Sequence, residues 1–225
     1  MDLIRTIEKR LGYAFANAEL LEQAMTHRSL GARNYERLEF LGDGLLNCII
    51  GAALYRERTR AEEGDLSRFR ATLVKESTLA AIGAELGLAD LIRFGPGELR
   101  SGGFRRRSIH ADVVESLIGA VYLDGGFEAA ESLVLRLFAE RLQDLPDAES
   151  LKDPKTRLQE LLQGAGRAIP NYELVGERGP AHQRQFTARC TLSDREEFVE
   201  GVGSSRRRAE QNAAALMIRA EFGDA

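Results

Sequence analysis

The chain has 225 residues, 44% apolar and 29% charged, an ordinary globular composition that excludes a disordered one. Its longest apolar stretch, Leu45 to Leu54, contains Asn47 and is too short to span a bilayer, and Met1-Asp2-Leu3 runs straight into a charged amphipathic pattern rather than a basic-then-apolar leader. The net charge of −4 and pI near 5.6 exclude a uniformly basic nucleic-acid binder, so any such role depends on where charges sit rather than on their sum.

Along the chain, the first 143 residues read as helices. Leu3, Ile4, Ile7 and Leu11 form one apolar stripe that stops at the turn-like Gly12-Tyr13. Asn17 is placed to cap a second helix carrying Leu20, Leu21 and Ala24. A long helix is expected from about Tyr35 to Arg58, and another capped by Asp65, with Leu66, Phe69, Leu73 and Val74 as its apolar positions. Gly83, Gly87, Gly95 and Gly97, with Pro96, are expected to break the chain before a final pair of helices at about 108–123 and 127–143.

The acidic, proline-containing run Asp144 to Ser150 reads as a solvated linker. It divides the chain into an all-α domain, residues 1–143, a linker, 144–152, and a second domain, 153–225. The second domain reads as helix Thr156–Gln163 ended by Gly164 and Gly166, then three strands, Tyr172–Gly176, Gln185–Leu192 and Phe198–Val202. In the middle strand Phe186, Ala188, Cys190 and Leu192 alternate with polar residues, the period of a strand with one buried face. A last helix places Ala209, Ala213, Leu216, Met217 and Ala220 on one side. The order α-β-β-β-α makes this a small α+β domain. Cys48 and Cys190 lie far apart in apolar surroundings and are expected to be buried free thiols, which fits a cytoplasmic protein.

Within the long helix, Glu36, Glu39 and Asp43 fall inside about a 60° arc of one face, with Arg37 as the one adjacent cation. A later helix carries Asp112 and Glu115 at i, i+3, again among apolar neighbours. Like charges stacked on a helix repel. Two such helices face to face would bring four carboxylates to one point, where an oxygen-only donor set favours Mg²⁺ or Mn²⁺ over zinc or copper. The same acids could instead face solvent on two surface helices. A di-iron carboxylate bundle would need Glu-x-x-His pairs, and none of His27, His110 and His182 stands three residues after a glutamate.

Asn34-Tyr35-Glu36-Arg37-Leu38-Glu39-Phe40-Leu41-Gly42-Asp43 resembles the signature of bacterial ribonuclease III. So do Thr26-His27-Arg28-Ser29, Gly95-Pro96-Gly97-Glu98, Ser101-Gly102-Gly103-Phe104 and Ala111-Asp112-Val113-Val114-Glu115-Ser116-Leu117-Ile118-Gly119-Ala120. The resemblance continues through the second domain. It departs at Gly44, where the family usually has serine, a residue outside the metal ligands. The resemblance implies a Mg²⁺-dependent endoribonuclease, with Mn²⁺ substituting, in which Glu39, Asp43, Asp112 and Glu115 form the metal site. Asp43 and Glu115 match the positions most critical for turnover, and Glu36 and Glu63 match outer acids that help with substrate and a second ion. It further implies in-line attack by water on double-stranded RNA, leaving a 5′-phosphate and a 3′-hydroxyl, and a homodimer in which Phe40 packs into a pocket of the partner. Core packing is the simpler reading of Phe40.

Residues 153–222 resemble a double-stranded RNA-binding domain. By that resemblance Thr156, Gln159 and Glu160 reach 2′-hydroxyls in a minor groove, the loop at Gly179-Pro180-Ala181-His182 enters a second one, and Ser204, Ser205, Arg206, Arg207 and Arg208 open the last helix. Three arginines in a first helical turn oppose the helix dipole, and a bound phosphate would relieve that conflict. A solvated basic turn is the bland alternative. Lys155 and Arg157 extend the basic face, and the neutral balance of residues 153–225, 11 Lys/Arg against 11 Asp/Glu, is tolerable if the acids lie on the opposite side. A non-cleaving RNA-binding descendant would show the loss of a metal ligand, and none is lost.

Overall fold

The computed structural model describes residues 3–180 and 183–223, and the chain separates into two compact units, Met1–Pro146 and Asp147–Ala225. In the first, α1 (Leu3–Leu11) and α2 (Ala18–Ala24) precede α3 (Glu36–Glu57), α4 (Glu63–Val74), α5 (Glu76–Glu85), α6 (Pro96–Arg100) and α7 (Arg107–Gln143). Asn17 caps α2 as expected, its side chain accepting from the Glu19 N–H. The centre is the packing of α3 and α5 on α7. Leu46, Ile49, Ile50 and Leu54 of α3 and Val113, Leu117, Ile118 and Val121 of α7 are fully buried.

Several expectations do not hold in the folded chain. The cap of α4 is Glu62, and Asp65 sits in the first turn, paired with Arg68. Gly83 does not break the chain. It lies inside α5, where a Cβ would come 3.1 Å from the His110 carbonyl oxygen, so its use is close approach to α7. At the expected break Pro96 and Gly97 open the short helix α6, since a proline at the first helical position gives up an N–H with no intrahelical partner. The expected final pair of helices does hold: within Arg107–Gln143 two helices meet at Gly126, whose φ 80° and ψ −174° favour glycine. By length and composition α3 is apolar enough to cross a membrane, which the ten-residue apolar stretch did not anticipate; in this fold its apolar side lies against α7. Cys190 is buried but Cys48 is exposed, because it falls on the side of α3 away from α7.

The second unit contains α8 (Pro154–Gly164), β1 (Asn171–Arg178), β2 (Gln185–Thr191), β3 (Phe198–Gly203) and α9 (Arg206–Phe222). The strands form an antiparallel sheet in the order β1-β2-β3, with Tyr172 opposite Cys190 and Cys190 opposite Val199. β1 runs past Gly176, the expected end, because a bulge between Leu174 and Gly176 absorbs Val175 and lets pairing resume. Leu158, Leu162, Cys190, Ala213, Met217 and Ile218 make the core. The buried stripe of α9 is rotated from the expected one: Ala214 and Ile218 face inward, while Leu216 and Ala220 are exposed.

Candidate metal centre and nucleic-acid interface

Glycines set the distance between the two acidic helices. A Cβ on Gly42 would lie 1.8 Å from the Glu115 carbonyl oxygen, and one on Gly119 would lie 2.3 Å from that of Leu38. Hydrogen at both positions lets the backbones of α3 and α7 touch. At this crossing Glu39, Asp112 and Glu115, all half-buried, bring one oxygen each to within 4.8 Å of one another.

Crowding shifts their protonation. Burial, reinforced by Asp43, Glu39 and Asp112, pushes Glu115 up to about 8. Burial, followed by Asp112, Glu36 and Asp43, pushes Glu39 up to about 7. Burial raises Asp112 too, opposed by a hydrogen bond donated by the Tyr35 hydroxyl at 3.3 Å. Carboxylates that resist ionising together call for positive charge, and all-oxygen donors at this spacing fit a hard dication.

The other acids named from the sequence are placed differently. Asp43 borders the three-carboxylate knot but is exposed, and the Asn47 amide donates to its carboxylate at 2.9 Å and its main-chain oxygen at 3.0 Å. Glu36 is paired with Arg28 at 3.2 Å, so Arg37 is not the cation that answers it. Glu63 is exposed at the start of α4, accepting from the Ser67 hydroxyl at 2.8 Å, and is not part of the knot. Phe40 is 84% exposed, which removes the core-packing reading. Together with Leu41, Leu123 and Gln23 it lines a hollow of about 650 Å³.

Reading the sequence missed the groups that hold the acids. Asn47 stands four residues after Asp43, a helical spacing that could have revealed it. The Tyr35–Asp112 bond joins residues 77 apart and has no local signal. Behind Tyr35 lies the buried ring of His27, 5.7 Å centroid to centroid, with Phe94 at 5.3 Å and the Ser29 hydroxyl 2.8 Å from Nδ1. Burial lowers the pKa of His27, favouring the neutral ring.

In the second unit Thr156, Gln159 and Glu160 are exposed on α8, and Lys152 holds Glu160 at 2.6 Å. Ser204 is exposed, and Ser205 caps α9, its hydroxyl accepting from the Arg208 N–H at 3.2 Å. Arg206, Arg207 and Arg208 are exposed in the first turn. The acids are not on the opposite side: Arg206 meets Glu210 at 2.9 Å and Arg207 meets Asp153 at 3.7 Å. Two of the three arginines thus find partial compensation inside the chain. His182 lies outside the described residues.

Residues 17–142, more than half of the chain, match a family model described as Ribonuclease-III-like. The chain belongs to the ribonuclease III family. Residues 154–220 match the double-stranded RNA binding motif. The chain is similar to "Ribonuclease 3" of Shewanella denitrificans, 53% identical over 212 residues that cover 94% of each chain. It is also similar to "Ribonuclease 3" of Proteus mirabilis, 50% identical with the same coverage. The solved nuclease domain of ribonuclease III from Campylobacter jejuni is 41% identical, with a TM-score of 0.60 over 61% of this chain and 96% of that one. As a member of that family, the chain is an endoribonuclease of double-stranded RNA. The ribonuclease III family is metal-dependent, and the knot of Glu39, Asp112 and Glu115 is where an ion fits.

Proposed function

We propose that the chain is a Mg²⁺-dependent nuclease that cuts both strands of an RNA duplex as a homodimer, with Mn²⁺ able to replace Mg²⁺. The observation that carries this is the convergence of Glu39, Asp112 and Glu115 within 4.8 Å. These three residues would hold the ion, with Asp43 at its border. When bound, Mg²⁺ neutralises the phosphate and lowers the pKa of a coordinated water. The chain's own share is to keep the acids fixed and partly dry. Tyr35 orients Asp112, Asn47 orients Asp43, and the α3–α7 crossing holds Glu39 and Glu115 at the same point. Glu36 and Glu63 act as outer acids toward substrate and a second ion. Hydrolysis by water yields 5′-phosphate and 3′-hydroxyl ends.

In this reading residues 1–143 cut, 144–152 link, and 153–225 bind the A-form duplex through Thr156, Gln159, Glu160, His182, Ser204, Ser205 and Arg206 to Arg208. The exposed Phe40 and the hollow it lines support a symmetric dimer, in which each Phe40 enters the partner's hollow and two sites face the two strands. The similar nuclease domain from Campylobacter jejuni has structural flexibility in a region involved in dimer formation. Paired sites would leave short 3′ overhangs. Cytoplasmic precursors with long stems, ribosomal and messenger RNA among them, are the substrates that follow. The test is a gel assay on perfectly paired RNA with Mg²⁺ or with chelator, beside single-stranded RNA and duplex DNA. Cutting of duplex RNA with Mg²⁺ alone is expected; binding without cutting in every condition would leave only the RNA-binding half of the reading.

A further inference from the structure

We propose that Glu210 and Asp153, two acids inside the basic face, are positioning residues that hold Lys155, Arg206 and Arg207 as a preset phosphate clamp and fix α8 against α9. The inference rests on the reading of these arginines as the RNA interface. A carboxylate beside a phosphate site weakens polyanion binding by simple Coulomb repulsion, so two of them there need a reason.

Their geometry supplies one. The Glu210 side chain is only 13% exposed, and both its oxygens are used: Lys155 Nζ donates to one at 2.6 Å and Arg206 Nε to the other at 2.9 Å. Burial works against the charge on Glu210, yet the bonds from Lys155 and Arg206 outweigh it and hold the carboxyl below the usual range. Lys155 is seated further by the Tyr172 ring, whose centroid lies 4.4 Å from Nζ. Because Arg206 uses Nε for Glu210, its two Nη groups remain on a side chain that is 64% exposed. Asp153 does the equivalent one step away. One oxygen accepts from the Lys155 N–H at 2.9 Å and caps α8, while the other accepts from the Gln211 side chain of α9 at 2.8 Å and lies 3.7 Å from Arg207. The helix expected in a minor groove and the helix carrying the arginines are therefore locked together through these two carboxylates.

The energetic consequence is a matter of when order is imposed. A free arginine or lysine must freeze its rotamers on binding, which opposes association. Held by the largely covered Glu210, Lys155 and Arg206 are ordered when the unit folds, before RNA arrives, while the more exposed Arg207 is held loosely by the partly covered Asp153. Positioning and Coulomb repulsion then predict opposite signs for one substitution.

The experiment is fluorescence-anisotropy titration of the full chain with a perfectly paired RNA, in chelator to prevent cutting, across a range of KCl. Although Glu210→Gln adds one unit of net positive charge, it is expected to bind about three- to ten-fold more weakly than the parent. Glu210→Asp, which keeps the charge within reach of Lys155, is expected to stay within about two-fold. Equal or tighter binding by Glu210→Gln would overturn the inference. Thermal unfolding accompanies each variant, and if Glu210→Gln does not fold, Asp153→Asn decides by the same sign. The triple Arg206→Ala, Arg207→Ala, Arg208→Ala variant separates the two levels. A flatter salt slope supports the interface itself, whereas an unchanged slope removes the interface and the clamp with it.

Discussion

Gly42 on α3 touches the main-chain oxygen of Glu115 on α7, the residue whose side chain closes the acidic knot. A Cβ there would stand 1.8 Å from that oxygen, which no rotamer change can relieve, because both partners are backbone. The same contact that packs the core therefore sets how close Glu39 comes to Glu115. Gly42→Ala is expected to destabilise the first unit by about 3 kcal/mol or more and to lower metal affinity in any protein that still folds. Gly44→Ala, with open space around it in this chain, is expected to leave stability unchanged or higher. Thermal melts of the two variants test the pair, and equal melting temperatures would contradict the role given to the crossing.

The metal-free site has a pH signature with a definite sign. Glu39 and Glu115 are raised to about 7 and about 8, above the ordinary glutamate value of 4.5. Between the unfolded and folded values the native state binds more protons than the unfolded chain, so stability without metal falls as pH rises from about 4.5 through 8. Mg²⁺ must displace those protons, so its affinity rises over the same window. Calorimetric titration with Mn²⁺ in buffers of different ionisation enthalpy should detect proton release at pH 7 and little of it at pH 9. Pure metal binding at pH 7, with no protons released, would contradict the raised values.

Tyr35 donates to Asp112 from a buried position, so Tyr35→Phe removes one orienting bond without opening a cavity. The expected result is a loss of metal affinity of about ten-fold or more, the usual scale for groups that orient ligands, with RNA binding in chelator unchanged. Unaltered Mn²⁺ affinity would reduce Tyr35 to a packing residue.

With Phe40 almost fully exposed, a change to alanine has little folded-state packing to lose within one chain. Phe40→Ala is expected to leave the melting of an isolated chain within about 0.5 kcal/mol and to shift the dimer toward monomer in sedimentation equilibrium. A dimer that persists unchanged would place the interface elsewhere.

Much of this was legible in the sequence. Periodicity gave the α-β-β-β-α order of the second unit and the two acidic helices of the first, because each depends on spacing within one element. The α4 cap, the role of Gly83, the rotated stripe of α9 and the exposure of Cys48 were not legible, since each depends on which neighbour an element meets. The same division runs through the site. Spacing within their own helices brings out Glu36, Glu39, Asp43, Asp112 and Glu115, whereas which three of them meet, and that Tyr35 reaches Asp112 across 77 positions, depends on the fold. Glu210 and Asp153 counted as ordinary acids in a neutral balance until the fold put them beneath the arginines.

The decisive variant is Glu115→Gln, assayed for Mn²⁺ binding by electron paramagnetic resonance and for cutting of duplex RNA by gel. Tight Mn²⁺ binding is expected to be lost and cutting to fall by more than about 100-fold, while duplex RNA is still bound in chelator. A variant that binds Mn²⁺ and cuts like the parent would contradict the assignment of Glu39, Asp112 and Glu115 as the metal centre.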